Sequence, residues 1–208
     1  ADYAESLAAD APRQRILQPE NAFGHWQVHH GWIGAEGSNV TLPGPNSLWR
    51  VVDGTVLTPT SPVTIAHTTP EGVELRQRIE VDNYFMFTIT HSARNNTNSS
   101  MTLYPLAQIS RTGRPQTSNL FILHEGAIGF FGEEGLSELD YDDLIDERVV
   151  SKQATTGWLG ITDKYWATAI IPPQNVSFSA RFTGDSANDR AGEVFRGDYL
   201  LAGRTIAA

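Results

Sequence analysis

Histidine and tryptophan are the side chains of this sequence best suited to hold a ligand, and several occur together near residue 30. An extended strand over Trp26–Ile33 would place Trp26, His30 and Trp32 on one face, because side chains alternate across a strand. Two indole rings beside an imidazole could stack on a sugar ring and donate a hydrogen bond to it. A core or edge histidine that is satisfied by a backbone carbonyl produces the same pattern, and we favour this second interpretation.

Metal-binding chemistry has less support. The chain has six histidines and no cysteine, which removes thiolate zinc sites, iron–sulfur clusters and disulfides. His25 and His29 would lie close together only on a helix, because on a strand four residues separate them by about 13 Å, and we find no convincing third ligand. The sequence therefore predicts no metal site and no cofactor.

Acidic side chains are concentrated between Glu133 and Glu147, where eight carboxylates occur. The segment lacks the regularly spaced ligands, central glycine and closing glutamate of a calcium loop. One interpretation, which we favour, is a solvated acidic edge that discourages pairing with foreign strands; the other is a docking surface for a basic partner. The residues of this candidate partner surface are Glu133, Glu134, Asp140, Asp142 and Asp143.

Motifs for nucleophilic catalysis and phosphate binding are missing from the sequence. Gly184-Asp185-Ser186-Ala187 lacks the final glycine of a nucleophile elbow, and no glycine-rich phosphate-binding pattern occurs. Paired carboxylates for glycoside chemistry stay open, because 24 acidic residues in one sandwich will place some pair at a suitable distance. We therefore predict a protein that is not an enzyme, and we assign no catalytic residue.

Charge and composition exclude further classes of protein. A net charge of −9 and a pI near 5.0, without a cluster of lysine or arginine, argue against nucleic-acid binding. A hydrophobic content of 40% is too high for a disordered chain. No stretch approaches the roughly 18–20 apolar residues of a membrane helix, and no signal peptide is visible, so we expect soluble material that can be a piece of a larger protein.

Strands must position these residues, because hydrophobicity alternates with a period of two along much of the chain. In Val73–Val81 the apolar residues alternate with charged ones, which is typical of a half-buried strand. Glycine, proline and asparagine separate further runs at spacings of about 8–12 residues. The other predicted strands are Trp26–Ile33, Leu48–Val52, Val63–His67, Phe85–His91, Met101–Tyr104, Phe121–His124, Ala127–Phe131, Trp158–Ile161, Tyr165–Ile171 and Val176–Phe182.

Helix is predicted only at Asp2–Ala9, as one short turn, and at Ser137–Glu147, where the apolar stripe is thin. No change in composition suggests a linker, and no repeat occurs. The sequence therefore predicts a single all-β domain over residues 1–208, in which two antiparallel sheets pack face to face.

Two aromatic-rich strands flank a polar turn at Thr162-Asp163-Lys164. Complete burial of Trp158 and Trp166 would contribute at most about 4–6 kcal/mol each. As a physical pattern this segment is a core hairpin and needs no reactive centre.

The same segment resembles the signature of the periplasmic domain of YidC-type membrane protein insertases. Residues 157–172 match that signature, and Thr156 stands in place of its first glycine. A second similarity is Gly31-Trp32-Ile33-Gly34 followed by Leu42-Pro43-Gly44-Pro45, with a spacing that fits the alphaproteobacterial members best. The signature residues, mainly structural, are Gly157, Trp158, Gly160, Thr162, Asp163, Lys164, Tyr165, Trp166 and Pro172.

The resemblance implies a β-supersandwich fold related to galactose mutarotase-like proteins. It implies a domain on the periplasmic side of the bacterial inner membrane, attached through membrane helices that lie outside this chain. Its implied partners are Sec translocon accessory proteins and nascent membrane proteins. The mutarotase-like relatives use a histidine acid and a glutamate base, but no motif carries those roles to a residue of this chain.

Two hypotheses follow from these patterns. The first is a non-catalytic interaction module of an insertase, which contacts Sec components or polypeptide. The second is a carbohydrate-binding or aldose-epimerase-like β-sandwich protein, in which Trp26, Trp32, Trp49 and His30 are available to stack on a pyranose.

Overall fold

Strands make up most of the computed structural model, which describes residues 2–4, 8–11, 13–15, 17–18, 24–115, 124–164, 166–187 and 192–208. Strand pairs with a defined register in the described residues are antiparallel, which confirms the predicted all-β class with little helix. The described part contains one α-helix, α1 (Tyr141–Glu147), and a 3₁₀ turn at Gly132–Glu134. The strands are β1 (Asp2–Ala4), β2 (Arg13–Arg15), β3 (Trp26–Gly34), β4 (Arg50–Asp53), β5 (Val63–Thr68), β6 (Val73–Val81), β7 (Phe87–Asn95), β8 (Met101–Thr112), β9 (Gly126–Phe131), β10 (Leu136–Asp140), β11 (Val149–Ala154), β12 (Gly157–Asp163), β13 (Trp166–Ile170), β14 (Phe178–Asp185), β15 (Val194–Leu201) and β16 (Arg204–Ile206).

The chain divides into two compact units. The first unit comprises residues 1–29 and 107–201, and the second comprises residues 30–106 and 202–208. Strands β3 and β8 contribute residues to both. The single domain expected over residues 1–208 stays a prediction.

The first unit is a sandwich of two sheets around one core. One sheet has the order β10-β9-β12-β13, and the other contains β11, β14, β15 and β8 as neighbours. Alternate residues of β14 and β15 point inward, among them Phe182 and Phe195. The rings of Phe131 on β9 and Phe182 on β14 meet edge to face with centroids 6.0 Å apart, so side chains of both sheets share the interior.

The second unit is built on a four-stranded sheet in the order β4-β5-β6-β7. Its core consists of Val73, Leu75 and Leu103, with Trp32 and Trp49 packed against them as partly buried neighbours. The alternation predicted for Val73–Val81 is confirmed, because Val73 and Leu75 are fully buried while Arg76 and Arg78 are exposed.

The helix predicted over Ser137–Glu147 is wrong in its first half. Leu136–Asp140 is strand β10, which pairs with β9, and the helix begins only at Tyr141. The Asp143 N–H donates to the Asp140 carboxylate at 2.8 Å, and the Asp140 N–H donates to the Asp143 carboxylate at 3.1 Å. This reciprocal capping box fixes the start of the helix, and the hydrophobic pattern alone did not reveal it.

Two other predicted elements also need correction. The helical turn predicted at Asp2–Ala9 is wrong over Asp2–Ala4, because these residues are a strand paired with β2. The strand expected at Phe85–His91 begins at Phe87, since Phe85 has φ +64° and leaves the extended region. Residues 121–123 of the strand predicted at Phe121–His124 lie outside the described residues.

Candidate functional site

The signature hairpin formed by β12 and β13 is positioned by close contacts between backbones. A Cβ atom at Gly157 (φ +139°) would overlap the carbonyl of Phe130 on β9, and one at Gly160 would overlap the carbonyl of Thr168 on β13. Any larger residue would push these strands apart. The two signature glycines are therefore explained by strand packing.

Asp163, at the end of β12, is the centre of a buried polar cluster. Its carboxylate accepts a hydrogen bond from the Tyr141 hydroxyl at 2.6 Å and forms an ion pair with Arg111 at 2.9 Å. The Arg111 and Asp163 side chains are only 6% and 11% exposed. The guanidinium carbon of Arg111 also lies 5.2 Å from the centroid of the Trp26 ring, a distance that suits a cation–π contact.

This cluster ties four elements of the first unit together, because its members come from β3, β8, α1 and β12. Burial raises the pKa of Tyr141 well above its usual value, and the neighbouring Asp163 carboxylate raises it further. The phenol is therefore a hydrogen-bond donor over the whole physiological pH range. The Tyr141 hydroxyl and the Arg111 guanidinium both bind the Asp163 carboxylate, so these groups act as structural contacts.

A second ion pair lies beside the first. Arg114 contacts Glu193 at 2.6 Å and Asp142 at 2.7 Å, and its guanidinium carbon is 5.8 Å from the centroid of the Phe195 ring. Sequence reasoning missed Arg111, Arg114 and Glu193. Their positions in the sequence carry no signal that identifies their partners, and strand β8, which holds Arg111, was predicted only over Met101–Tyr104.

The other signature residues also have structural contacts. Lys164 donates its backbone N–H to Glu125 at 3.0 Å, and Pro172 is fully buried. The side chain of Gln174, also missed, exchanges two hydrogen bonds of 3.0 Å with the backbone of Gly157 and donates a third to Pro172 O at 2.7 Å. Thr162 donates to His124 O at 3.4 Å, and Tyr165 lies outside the described residues.

The two hairpin tryptophans are less buried than expected. Trp158 and Trp166 are of intermediate exposure, whereas the fully or almost fully buried side chains of the hairpin are Leu159, Ile161 and Ile170. The upper value of about 4–6 kcal/mol for each indole applies to complete burial, so the contribution of these half-buried rings is smaller.

The contacts described above do not identify a protein family, so the family is established by comparison with known proteins. A family model described as the YidC periplasmic domain matches residues 1–208. The chain belongs to this family. Among curated proteins named "Membrane protein insertase YidC", it is 39% identical over 207 residues to that of Beijerinckia indica, which covers 99% of this chain and 34% of the relative.

Two further relatives with the same name give similar values. The protein of Bradyrhizobium diazoefficiens is 37% identical over 205 residues, and that of Nitrobacter hamburgensis is 35% identical over 204 residues. The matches cover 99% and 98% of this chain and 33% of each relative. The chain thus spans about a third of the length of the YidC relatives, and the suspected family is confirmed.

The ligand platform suggested by Trp26, His30 and Trp32 is divided between the two units of this YidC domain. Trp26 is 3% exposed in the core of the first unit. His30 and Trp32 belong to the second unit, where both rings contact His91, with centroids 5.8 and 4.6 Å away. Trp26 therefore has no exposed face for stacking, and no group of metal-ligating residues occurs among the described residues.

The acidic residues of the YidC domain between Glu133 and Glu147 are exposed, although Tyr141 and Leu144 of the same segment are buried. All eight of its carboxylate side chains belong to residues on the surface. Four of the five candidate residues have local partners: Asp140 and Asp143 cap α1, Asp142 pairs with Arg114, and Glu134 pairs with Lys152 at 2.9 Å. Their charge still faces solvent. Within the described ranges, no helix is both long and apolar enough to cross a bilayer.

Proposed function

We propose that this chain is the periplasmic domain of an inner-membrane protein insertase and that it serves there as a non-catalytic interaction module. Membership of the YidC periplasmic domain family supports the proposal most directly. The domain would lie on the periplasmic side of the membrane and be attached through helices outside this chain. Its partners would be Sec accessory proteins and the membrane proteins that are being inserted.

The contacts of the signature support a binding role over a catalytic one. A catalytic carboxylate must reach a substrate, whereas the Asp163 side chain is 11% exposed and is held by Arg111 and Tyr141. The signature therefore maintains the fold of the first unit. We therefore propose that partners bind to the exposed surfaces of the domain.

The acidic segment is the surface that we propose for a basic partner. Glu138, Asp146 and Glu147 are exposed, and they add charge to the five candidate residues. Attraction between exposed charges is screened with a Debye length of about 8 Å at physiological salt. Binding through this surface should therefore weaken as the salt concentration rises.

Photo-crosslinking in the full-length protein in living cells tests this proposal. A photoreactive amino acid at Glu138 should give crosslinks to a Sec component or to a nascent membrane protein, and the crosslinks should fade when Asp146 and Glu147 are changed to lysine. The same probe at Ser179, exposed on β14, is the control position. Crosslinks of equal yield at both positions would contradict a specific surface. A measured epimerase or hydrolase turnover of the purified domain would contradict the non-catalytic role.

A further inference from the structure

The hairpin that joins β6 and β7 ends in a cluster of exposed apolar side chains. Tyr84 is 90% exposed, Phe85 80%, Met86 54% and Phe87 56%. With about 150–250 Å² for a large aromatic side chain, this tip presents roughly 500 Å² of mainly apolar surface to solvent. The largest apolar patch of a typical monomer has about 300–600 Å² and is often a functional surface, so an area of this size makes the tip a candidate contact site.

Asp82 holds the tip in one conformation. Its carboxylate accepts the backbone N–H of Tyr84 at 2.8 Å and that of Met86 at 2.9 Å. Its own N–H donates to Met86 O at 3.0 Å, and its carbonyl accepts from Phe85 N at 3.2 Å. The exposed rings are thus presented by an ordered turn.

Phe85 occupies a backbone position that disfavours it. Its φ is +64°, in the third residue of a three-residue hairpin loop, where glycine is the usual choice. A left-handed conformation costs a bulky residue about 1 kcal/mol or more. Exposure of the ring adds no burial that would offset this cost, so folding alone does not account for phenylalanine here.

The charges around the tip favour a lipid surface as its partner. Residues 83–90 contain no acidic or basic side chain. The charged residues that precede the tip along β6 are Asp82, whose carboxylate is engaged in the turn, and Glu80 and Arg78, which form an ion pair. A stable protein interface usually buries about 800 Å² on each partner and has a polar rim, whereas the tip offers less area and residues 83–90 carry no charge.

We infer that the tip formed by residues 83–87 inserts its side chains into the interfacial region of a lipid bilayer. Tyrosine suits this region, because its ring is apolar and its hydroxyl reaches the headgroups. The inference rests on the proposed function, which places a membrane beside the domain. It adds a direct lipid contact that is made by this chain itself.

Flotation with vesicles of neutral phosphatidylcholine tests the inference on the purified 208-residue chain. The chain should float with vesicles at millimolar lipid. Phe85→Asn should reduce the partition coefficient by about tenfold or more, because it removes most of one exposed ring. The same variant should melt at an unchanged or higher temperature, since asparagine tolerates the left-handed region.

Leu48→Asn is the matched control. Leu48 is 89% exposed in the second unit but belongs to the segment before β4, and its loss should change partition less than about twofold. Because the chain has no cysteine, a single environment-sensitive dye can be attached at Asn83→Cys. Thr60→Cys, in another exposed loop, is its control. Only the dye at position 83 should brighten and shift to the blue when vesicles are added.

Three results would overturn the inference: no flotation with neutral vesicles, flotation that Phe85→Asn leaves unchanged, or flotation that requires anionic lipid. None of these outcomes affects the crosslinking test of the proposed function. A failure of the lipid contact is therefore distinguishable from a failure of the interaction role.

Discussion

Replacing Asp163 by asparagine should destabilise the first unit far more than the same change at Asp142. Each carboxylate forms an ion pair with an arginine, at 2.9 Å for Asp163 and 2.7 Å for Asp142. The difference is burial, because the side chains of Asp163 and Arg111 are 11% and 6% exposed while that of Asp142 is 69% exposed. Asp163→Asn leaves the Arg111 guanidinium buried without its counter-charge.

The expected losses differ several-fold. Breaking a buried pair by removing one partner costs about 3–5 kcal/mol, whereas an exposed pair contributes about 0–1 kcal/mol. Arg114 also keeps Glu193 when Asp142 is changed. At about 2–4 °C per kcal/mol for a chain of this size, the melting temperature should fall by about 6–20 °C for Asp163→Asn and by no more than a few degrees for Asp142→Asn.

Calorimetry of the two variants and the unchanged chain measures these differences, and it resolves two transitions if the two units unfold separately. The double variant Arg111→Met with Asp163→Leu should recover much of the loss, because replacing both partners by apolar groups removes the unpaired charge. Equal, small losses at Asp163 and Asp142 would refute the assignment of a buried ion pair. A double variant as unstable as Asp163→Asn would refute the charge as the cause.

Three further predictions concern other contacts of the two units. Because the pKa of Tyr141 is raised in the folded chain, the unfolded chain loses this proton first above about pH 10, and the free energy of unfolding should fall there. Tyr141→Phe should make this fall shallower in urea titrations at alkaline pH. An unchanged dependence of stability on pH would contradict the prediction. The hydrogen bonds from Thr41 to Glu71 hold the pKa of that carboxyl at about 2, so their contribution to folding stability is present above about pH 4.5 and is lost as the pH falls towards 2. Glu71→Gln should flatten the acid side of the profile of stability against pH. A profile identical to that of the unchanged chain would contradict this. Gly157→Ala should lower the melting temperature by several degrees, since its Cβ would overlap the carbonyl of Phe130, and a neutral result would show that the strands can separate there.

Local patterns revealed much of the fold. Alternation over Val73–Val81 and Trp26–Ile33 predicted strands that the structure contains, because side-chain burial on one face of a sheet has a period of two. Strand β15 was missed although it alternates along its whole length, since its residues 196–198 interrupt the apolar run with arginine, glycine and aspartate. The start of α1 was missed because a capping box, and not hydrophobicity, determines it.

The polar cluster around Asp163 could be predicted only in part. Resemblance singled out Asp163, but its partners Arg111 and Tyr141 are 52 and 22 residues away in the chain. No local pattern encodes such pairings, because the order of strands in the sheets decides which residues at the ends of strands come into contact. The apolar tip was also missed, since Phe85 fits an alternating strand pattern and only its backbone conformation shows that it belongs to a turn.

The left-handed backbone at Phe85 has a consequence for protein engineering. Redesign for thermal stability would select glycine or asparagine at this position, because either residue relieves the strain and makes the surface more hydrophilic. Expression yield and solubility would then improve. Screens that score only these properties would keep the substitution. They would thereby remove the aromatic ring that we infer to contact lipid.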